Sequence, residues 1–279
     1  MKGACRRALA MVIGGIALSA QAPDNLWLKP SSQPGLTLHS GAMVLNLPAY
    51  PGSREARSQP FPILNGEWEE RLSFGASRFG VGASMAFNVY KQDGWTGSLG
   101  LEGYEPRPER MADALAGMGD RAATTFLAAG LAWRTGPFGL EAGLRKGTQL
   151  EAGGGAVLRT TLTLPLGRRW LLEARVAGSA YDHRQMDYEY GIAADQAARR
   201  HQLVAAGDPR LGPAEDRAFQ APGGWALLQS SLAIGYALTD HWRLGITFLQ
   251  QEVQGDARRS PLVLRPRSQG TVIGFSYQL

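Results

Sequence analysis

Three things are scarce in this chain, and each scarcity closes off a class of protein. Cysteine occurs once, at position 5 of 279 residues, ahead of the first apolar stretch. A lipoprotein cysteine would follow such a stretch, and an exported chain with no later cysteine cannot rely on disulfides. Long apolar runs are missing as well. After residue 22 no uninterrupted segment reaches the roughly 18 residues that a transmembrane helix requires. The third absence is recognisable catalytic spacing. His39, His183, His201 and His241 show no HExxH-type metal spacing, and there is no G-x-S-x-G nucleophile elbow. Gly153-Gly154-Gly155 reads as a turn, because no strand–loop–helix context for a phosphate cradle follows it. Asp182-His183 lies at a strand end, where a hydrolase could place a site, but no serine is identifiably paired with it. No catalytic residue, metal or cofactor is therefore expected.

What is present begins with an export signal. Lys2, Arg6 and Arg7 precede an uncharged apolar stretch from Ala8 to Ala20. Such a segment reads as a secretory signal peptide over residues 1–22, too short to span a bilayer as a helix. Cleavage is expected after Ser19, Ala20 or Ala22. Its removal takes three positive charges from the formal +5 and leaves about +2. Without that charge, and without a basic run carrying interleaved aromatics, nucleic acid is not an expected partner.

The rest of the chain alternates. Phe79, Val81, Met85, Phe87 and Val89 fall on one parity, as do Trp242, Leu244, Ile246 and Phe248, and Ile273, Phe275, Tyr277 and Leu279. A period of two places each set on one face of a strand. The opposite face is mostly Gly, Ala, Ser and Thr with sparse charge, which suits a confined interior better than an open solvent face. Strands of about 10–13 residues exceed the usual 5–6 and match the 9–11 that cross a membrane at a tilt. Connections alternate between short ones near 91–94, 135–137, 167–169 and 239–241, and longer ones near 105–120, 149–154, 182–223 and 253–267. Short turns on one side and long loops on the other characterise outer-membrane barrels, and only closure satisfies every strand hydrogen bond in lipid.

The expected architecture is a transmembrane antiparallel up-and-down β-barrel over residues 36–279, preceded by a short periplasmic segment at 23–35. Twelve strands are expected: 36–47, 60–68, 70–77, 79–90, 94–104, 121–134, 138–148, 154–166, 169–181, 224–238, 242–252 and 268–279. The 60–78 segment is short-stranded and contains Pro60 and Pro62, which cannot donate ladder bonds. Merging elements there would give ten. Within the longest loop, Ala193 to Ala206 is rich in helix formers without Gly or Pro. That loop is read as a cover over the mouth, as a contact for a partner, or as a solvated excursion.

Two residue sets follow from this geometry. Trp95, Phe138, Trp170 and Trp242 each come just after a short turn, where an aromatic girdle would meet the periplasmic water–lipid boundary. Glu102, Glu141, Arg145, Arg159, Glu173, Arg175 and Arg243 must face inward, because an Arg or Lys on the lipid face at mid-membrane costs about 2–4 kcal/mol. Their balanced signs suit a salt-bridge network that braces the wall. A charge-selective eyelet for a small solute is the alternative.

Several segments then resemble the MipA/OmpV family of outer-membrane proteins. They are "PAYPGSREARSQPFPILN" (Pro48 to Asn65), "LAGMGD" (Leu115 to Asp120), "YEYGIAADQAARR" (Tyr188 to Arg200), "YALTDHWRLG" and "SPLV" (Ser260 to Val263). The likeness covers about residues 36 to 279 in the right order. It departs at Arg259, where the family usually has Asp before the Ser. The resemblance implies a non-enzymatic barrel in the outer membrane of a Gram-negative bacterium. It also implies a scaffold that brings a lytic transglycosylase together with a murein synthase, or uptake of small molecules or antibiotics. Outer-membrane lipid is the expected surrounding; oligomeric state is left open.

Overall fold

The computed structural model describes residues 35–76 and 83–279. The expected signal peptide, nearly all of the 23–35 segment, and Phe79 and Val81 lie outside the described residues.

Twelve strands among the described residues form one closed antiparallel barrel, each paired to its sequence neighbours and the last to the first. They are β1 (Leu36–Pro48), β2 (Ala56–Trp68), β3 (Leu72–Ala76), β4 (Ala83–Gln92), β5 (Trp95–Tyr104) and β6 (Thr124–Thr135), followed by β7 (Phe138–Gly147), β8 (Gly154–Leu166), β9 (Trp170–Tyr181), β10 (Gly224–Ala237), β11 (Trp242–Val253) and β12 (Arg267–Gln278). Closure runs through the β1–β12 ladder, from His39 opposite Gln278 to Asn46 opposite Thr271. The doubtful 60–78 region keeps two strands rather than merging into one. β2 begins earlier than the prolines suggested, and its described ladder with β3 covers only Gly66 to Trp68. Pro60 and Pro62 therefore sit outside that ladder, where a missing N–H breaks no bond to β3.

Turn chemistry fixes the short end. At the β4–β5 hairpin Asp93 and Gly94 both take positive φ, 51° and 81°, the conformation of the type I′ turn that matches strand twist. A side chain at Gly94 would also run into the Arg134 carbonyl oxygen. The long connections carry the remaining regular structure: α1 (His183–Tyr190) and α2 (Ala194–Ala205), with short 3₁₀ turns at Glu109–Met111, Asp113–Leu115, Leu150–Ala152 and Gly255–Arg259. The helix expected at 193–206 is α2. The preceding α1 was not anticipated. No described helix is long and apolar enough to cross a membrane.

The outer surface carries the grease. Met85, Phe87, Leu99, Leu101, Leu127, Leu131, Leu144, Leu158, Val176, Leu232, Phe248 and Ile273 are all exposed and come from nearly every strand. Such a continuous apolar exterior would aggregate in water and is stable only against acyl chains. The barrel is an outer-membrane barrel for that reason. Placing a charge on this face should be expensive. Ile273→Arg, at an exposed position within β12, is expected to lower unfolding free energy by about 2–4 kcal/mol in lipid vesicles, measured by urea titration. A cost under about 0.5 kcal/mol would contradict a lipid-facing Ile273.

The interior differs from the expected lining of small and polar residues. Met43, Leu45, Leu47, Ile63, Ala233, Leu249 and Val272 form a buried apolar cluster, with Phe61 and Leu171 packed against it. These side chains point inward from β1, β2, β10, β11 and β12. Part of the lumen is thus a conventional hydrophobic core. Of the expected inward charges, all but Arg243 of β11 lie on the wall built by β5, β7, β8 and β9.

Candidate functional site

On the charged wall, Glu141 and Arg159 sit directly opposite one another across the β7–β8 ladder, with an Arg159 Nη1 to Glu141 Oε2 separation of 3.3 Å. Glu173, 1% exposed, receives Arg175 Nη2 at 3.0 Å. Glu102 is buried within electrostatic reach of Arg145. Arg145 spreads its guanidinium over the rings of Phe126, Tyr181 and Tyr104, at 4.8, 5.4 and 5.6 Å from their centroids. Arg243 stands apart, near the short-turn end and within range of His39. Its Nε has no hydrogen-bond partner among the described residues. Of the seven residues, then, two pairs are in contact, Glu102 and Arg145 are neighbours, and Arg243 is separate.

The four turn aromatics are the opening residues of β5, β7, β9 and β11, and all are exposed. Each tryptophan among them has an aromatic neighbour. Trp95 lies 6.2 Å from Trp133, Trp170 lies 4.6 Å from Tyr236, and Trp242 lies 5.0 Å from Tyr277. These partners were missed in the sequence. The parity of Trp133 with Leu131, just before the 135–137 turn, could have found one of them.

The opposite end carries the long loops, which pack on one another. Asp182 caps α1, its Oδ1 accepting from the Gln185 N–H at 2.8 Å, while Oδ2 accepts from Lys146 Nζ at 3.0 Å. This capping role accounts for Asp182 beside His183 without catalysis. Gly153, at φ 66°, passes so close to the start of α1 that a Cβ there would collide with the Gln185 nitrogen. Ile192 and Phe219 then exchange backbone hydrogen bonds at 2.9 and 3.0 Å, tying the two halves of the 182–223 loop.

The 182–223 loop binds its neighbours through buried polar anchors. Arg200 of α2, wholly buried, donates to the carbonyl oxygens of Ala114 and Ala116 at 2.8 and 2.9 Å and to that of Glu215 at 2.7 Å. Ser260 Oγ donates to the Tyr190 carbonyl at 2.6 Å, and Tyr50 Oη to the Leu262 carbonyl at 2.9 Å. Around these bonds Tyr50, Leu115, Met118, Ile192 and Leu262 form an apolar centre of their own. Loops 49–55, 105–123, 182–223 and 254–266 thereby make one cap.

Beneath the cap lies a buried ion cluster. Arg121 Nη1 bonds the Tyr188 carbonyl at 2.7 Å and Glu189 Oε2 at 3.2 Å. Arg107 Nη1 bonds the Glu189 carbonyl at 2.8 Å. Burial alone would push the Glu189 carboxyl up, but Arg121 and then Arg107 outweigh it and hold it below the usual range. Burial pushes Glu105 up to about 8 against the opposing pull of Arg57. Residues of the cap and of the barrel interior together line a cavity of 110 Å³. No sequence signal marked Arg107 or Arg121, because the loop that carries them has no period to read, and Glu189 lay within the family-like Tyr188–Arg200 segment without a role of its own.

A family model described as MltA-interacting protein MipA matches residues 40–279. The chain belongs to the MipA family. No curated protein matches it. Among solved structures it is similar to the NanC porin, at 12% identity and a TM-score of 0.41, covering 88% of this chain and 100% of that one. It is also similar to a loop-deletion mutant of OmpT, an outer membrane protein of Vibrio cholerae, at 7% identity and a TM-score of 0.37, covering 88% of this chain and 98% of that one. A further similarity is to Salmonella typhi OmpF in complex with daunomycin, at 10% identity and a TM-score of 0.35. That match covers 78% of this chain, which spans 57% of the OmpF chain. In this MipA-family barrel, Tyr50, Ala116, Tyr190, Ile192, Arg200, Ser260 and Leu262 all come from the family-like segments, and all meet in the cap.

Proposed function

We propose that this MipA-family chain is a non-enzymatic, non-conducting scaffold of the outer membrane, whose periplasmic turns dock enzymes of murein metabolism. The observation that carries this reading is the lumen, whose inward faces carry a hydrophobic cluster and ion pairs and whose long-loop end is capped. With transport through the barrel disfavoured, the surface offered to the periplasm is the ring of short turns. That ring carries both signs. Exposed Glu69, Glu70 and Asp93 at the β2–β3 and β4–β5 turns are accompanied by exposed Arg71 and Lys91, the latter paired with Glu70, and exposed Asp240 lies at the last short turn, while the β6–β7 and β8–β9 turns carry exposed Arg134, Arg168 and Arg169. The basic stretch of the ring favours one orientation of a charged partner. The family's description as interacting with MltA supports a murein lytic enzyme as that partner, and a murein synthase is the expected second.

Two measurements test this. The refolded barrel alone, in planar bilayers, is expected to give no discrete conductance steps. A murein lytic transglycosylase is expected to bind the barrel held in lipid nanodiscs, and the Arg168→Glu/Arg169→Glu double variant to slow association at least tenfold at low salt. Raising the salt should erase most of that difference. Equal association rates for variant and parent would remove the turns from the interface.

The second reading, a binding barrel for a small solute, is favoured by one observation only, the cavity beneath the cap.

A further inference from the structure

The cavity beneath the cap has two unlike walls. Leu45, Leu47, Leu227 and Leu249, all buried, form one of them. They belong to the barrel's apolar side, so the cavity continues a hydrophobic surface rather than interrupting it. The other wall is cationic. Arg57, Arg107, Arg121 and Arg145 reach it from β2, the 105–123 loop and β7. Against these four guanidinium groups stand Glu189 and Glu105, with Glu102 within electrostatic reach of Arg145. Glu189 already serves Arg121. Burial pushes Glu105 up to about 8, toward its neutral form.

Donor capacity is left over. Arg121 Nε is buried with no hydrogen-bond partner among the described residues. A buried donor of this kind costs about 1–3 kcal/mol unless something satisfies it. Arg145, 9% exposed, rests on aromatic faces and hydrogen-bonds the Tyr181 side chain, and a guanidinium carries more N–H donors than that one bond engages. The size is also informative. An apolar cavity of about 150 Å³ holds a benzene ring and stays dry otherwise. A slightly smaller space, greasy on one side and lined by guanidinium on the other, suits neither bulk water nor a purely apolar guest.

We propose that this cavity is a binding site for a small amphipathic organic anion: a carboxylate or sulfonate head on a compact apolar body. The head would accept from Arg121 Nε and Arg145, and the body would lie against Leu45, Leu47 and Leu249. Four arginines against three carboxyl groups, one of them in a site that disfavours its charged form, leave the site short of negative charge, and the leucines leave it short of an apolar occupant. One molecule of this class meets both needs. The inference is independent of periplasmic docking, because the cavity is at the opposite end of the barrel from Arg168 and Arg169.

Calorimetric titration of the barrel in nanodiscs tests it, with benzoate as probe and benzamide as its neutral counterpart of like shape. Benzoate is expected to bind saturably, at least tenfold more tightly than benzamide. Arg145→Gln should weaken benzoate tenfold or more. Leu249→Trp, which fills the cavity and leaves every arginine in place, should abolish its binding. Arg168→Glu/Arg169→Glu should leave benzoate affinity unchanged while slowing transglycosylase association, so the two proposals fail separately. If Arg145→Gln does not give the gel-mobility shift of a refolded barrel, the benzoate–benzamide ratio and Leu249→Trp decide the matter. Equal affinity for the two probes, no saturable benzoate binding, or an undiminished affinity in Leu249→Trp would each overturn the assignment.

Discussion

Replacing Glu189 with alanine is expected to destabilise the capped barrel by about 3–5 kcal/mol, because it strips the anion from buried Arg107 and part-buried Arg121. Arg121 loses its only described carboxylate contact, at 3.2 Å. Arg107, buried beside it, keeps its bond to the Glu189 carbonyl but loses the neighbouring negative charge. Neither guanidinium can shed its proton, so the cost falls on the fold. The cap should respond before the barrel, since strand hydrogen bonds do not depend on Glu189. Trypsin should therefore cleave the variant at Arg184, Arg199, Arg210 or Arg217 under conditions that leave the parent intact, and the urea midpoint in vesicles should fall. The pH dependence has a definite sign. The folded carboxyl sits below its unfolded value, so its contribution is present above about pH 4.3, the unfolded value, and is lost as pH falls through the lower folded value. Acid should loosen the parent's cap and leave the Glu189→Ala cap, already loosened, little changed. A cap that stays protease-resistant in the variant would mean that Glu189 does not hold it.

The difference between what could and could not be read from the sequence follows from periodicity. Strands announce themselves, because alternation survives in Trp242–Leu244–Phe248 against Arg243–Thr247 even when the inward face changes character. The strand pattern from β4 to β12, the short-turn aromatics and the barrel's even count were all legible on that basis. The inward hydrophobic cluster was not. Leu45, Leu47 and Leu249 share alternation with outward leucines, and parity alone does not say which set meets lipid when both are apolar. The cap was less legible still. Arg200 reads as one more charge on an amphipathic helix, and only the fold brings the carbonyls of Ala114 and Ala116 to it. The family-like segments held the clue in another form. Tyr50, Ser260 and Leu262 lie up to 212 residues apart yet share one hydrogen-bonded layer, so their recurrence in a fixed order marked a structure that no local rule describes.

The charged wall separates bracing from selectivity through one pair of experiments. Glu173→Ala is expected to cost about 3–5 kcal/mol, since it removes the buried carboxylate that Arg175, nine-tenths buried, contacts at 3.0 Å. The double variant Glu173→Met/Arg175→Met removes both charges and fills the space with adaptable apolar side chains. A brace judged only by stability tolerates that exchange, because a buried ion pair gains little over packed apolar groups of similar volume. The double variant should therefore recover most of the single variant's loss, with a coupling of several kcal/mol by urea titration in vesicles. Thr163, whose hydroxyl lies 3.5 Å from Glu173, contributes too little to change that outcome. An eyelet would behave otherwise: the double variant would gain or lose ion current, whatever its stability. On the non-conducting reading proposed above, with Leu249 and Val272 packed in another part of the lumen, neutralising one pair opens no path. Stability should move and conductance should stay at the baseline. Current appearing in Glu173→Met/Arg175→Met would make the wall part of a pore.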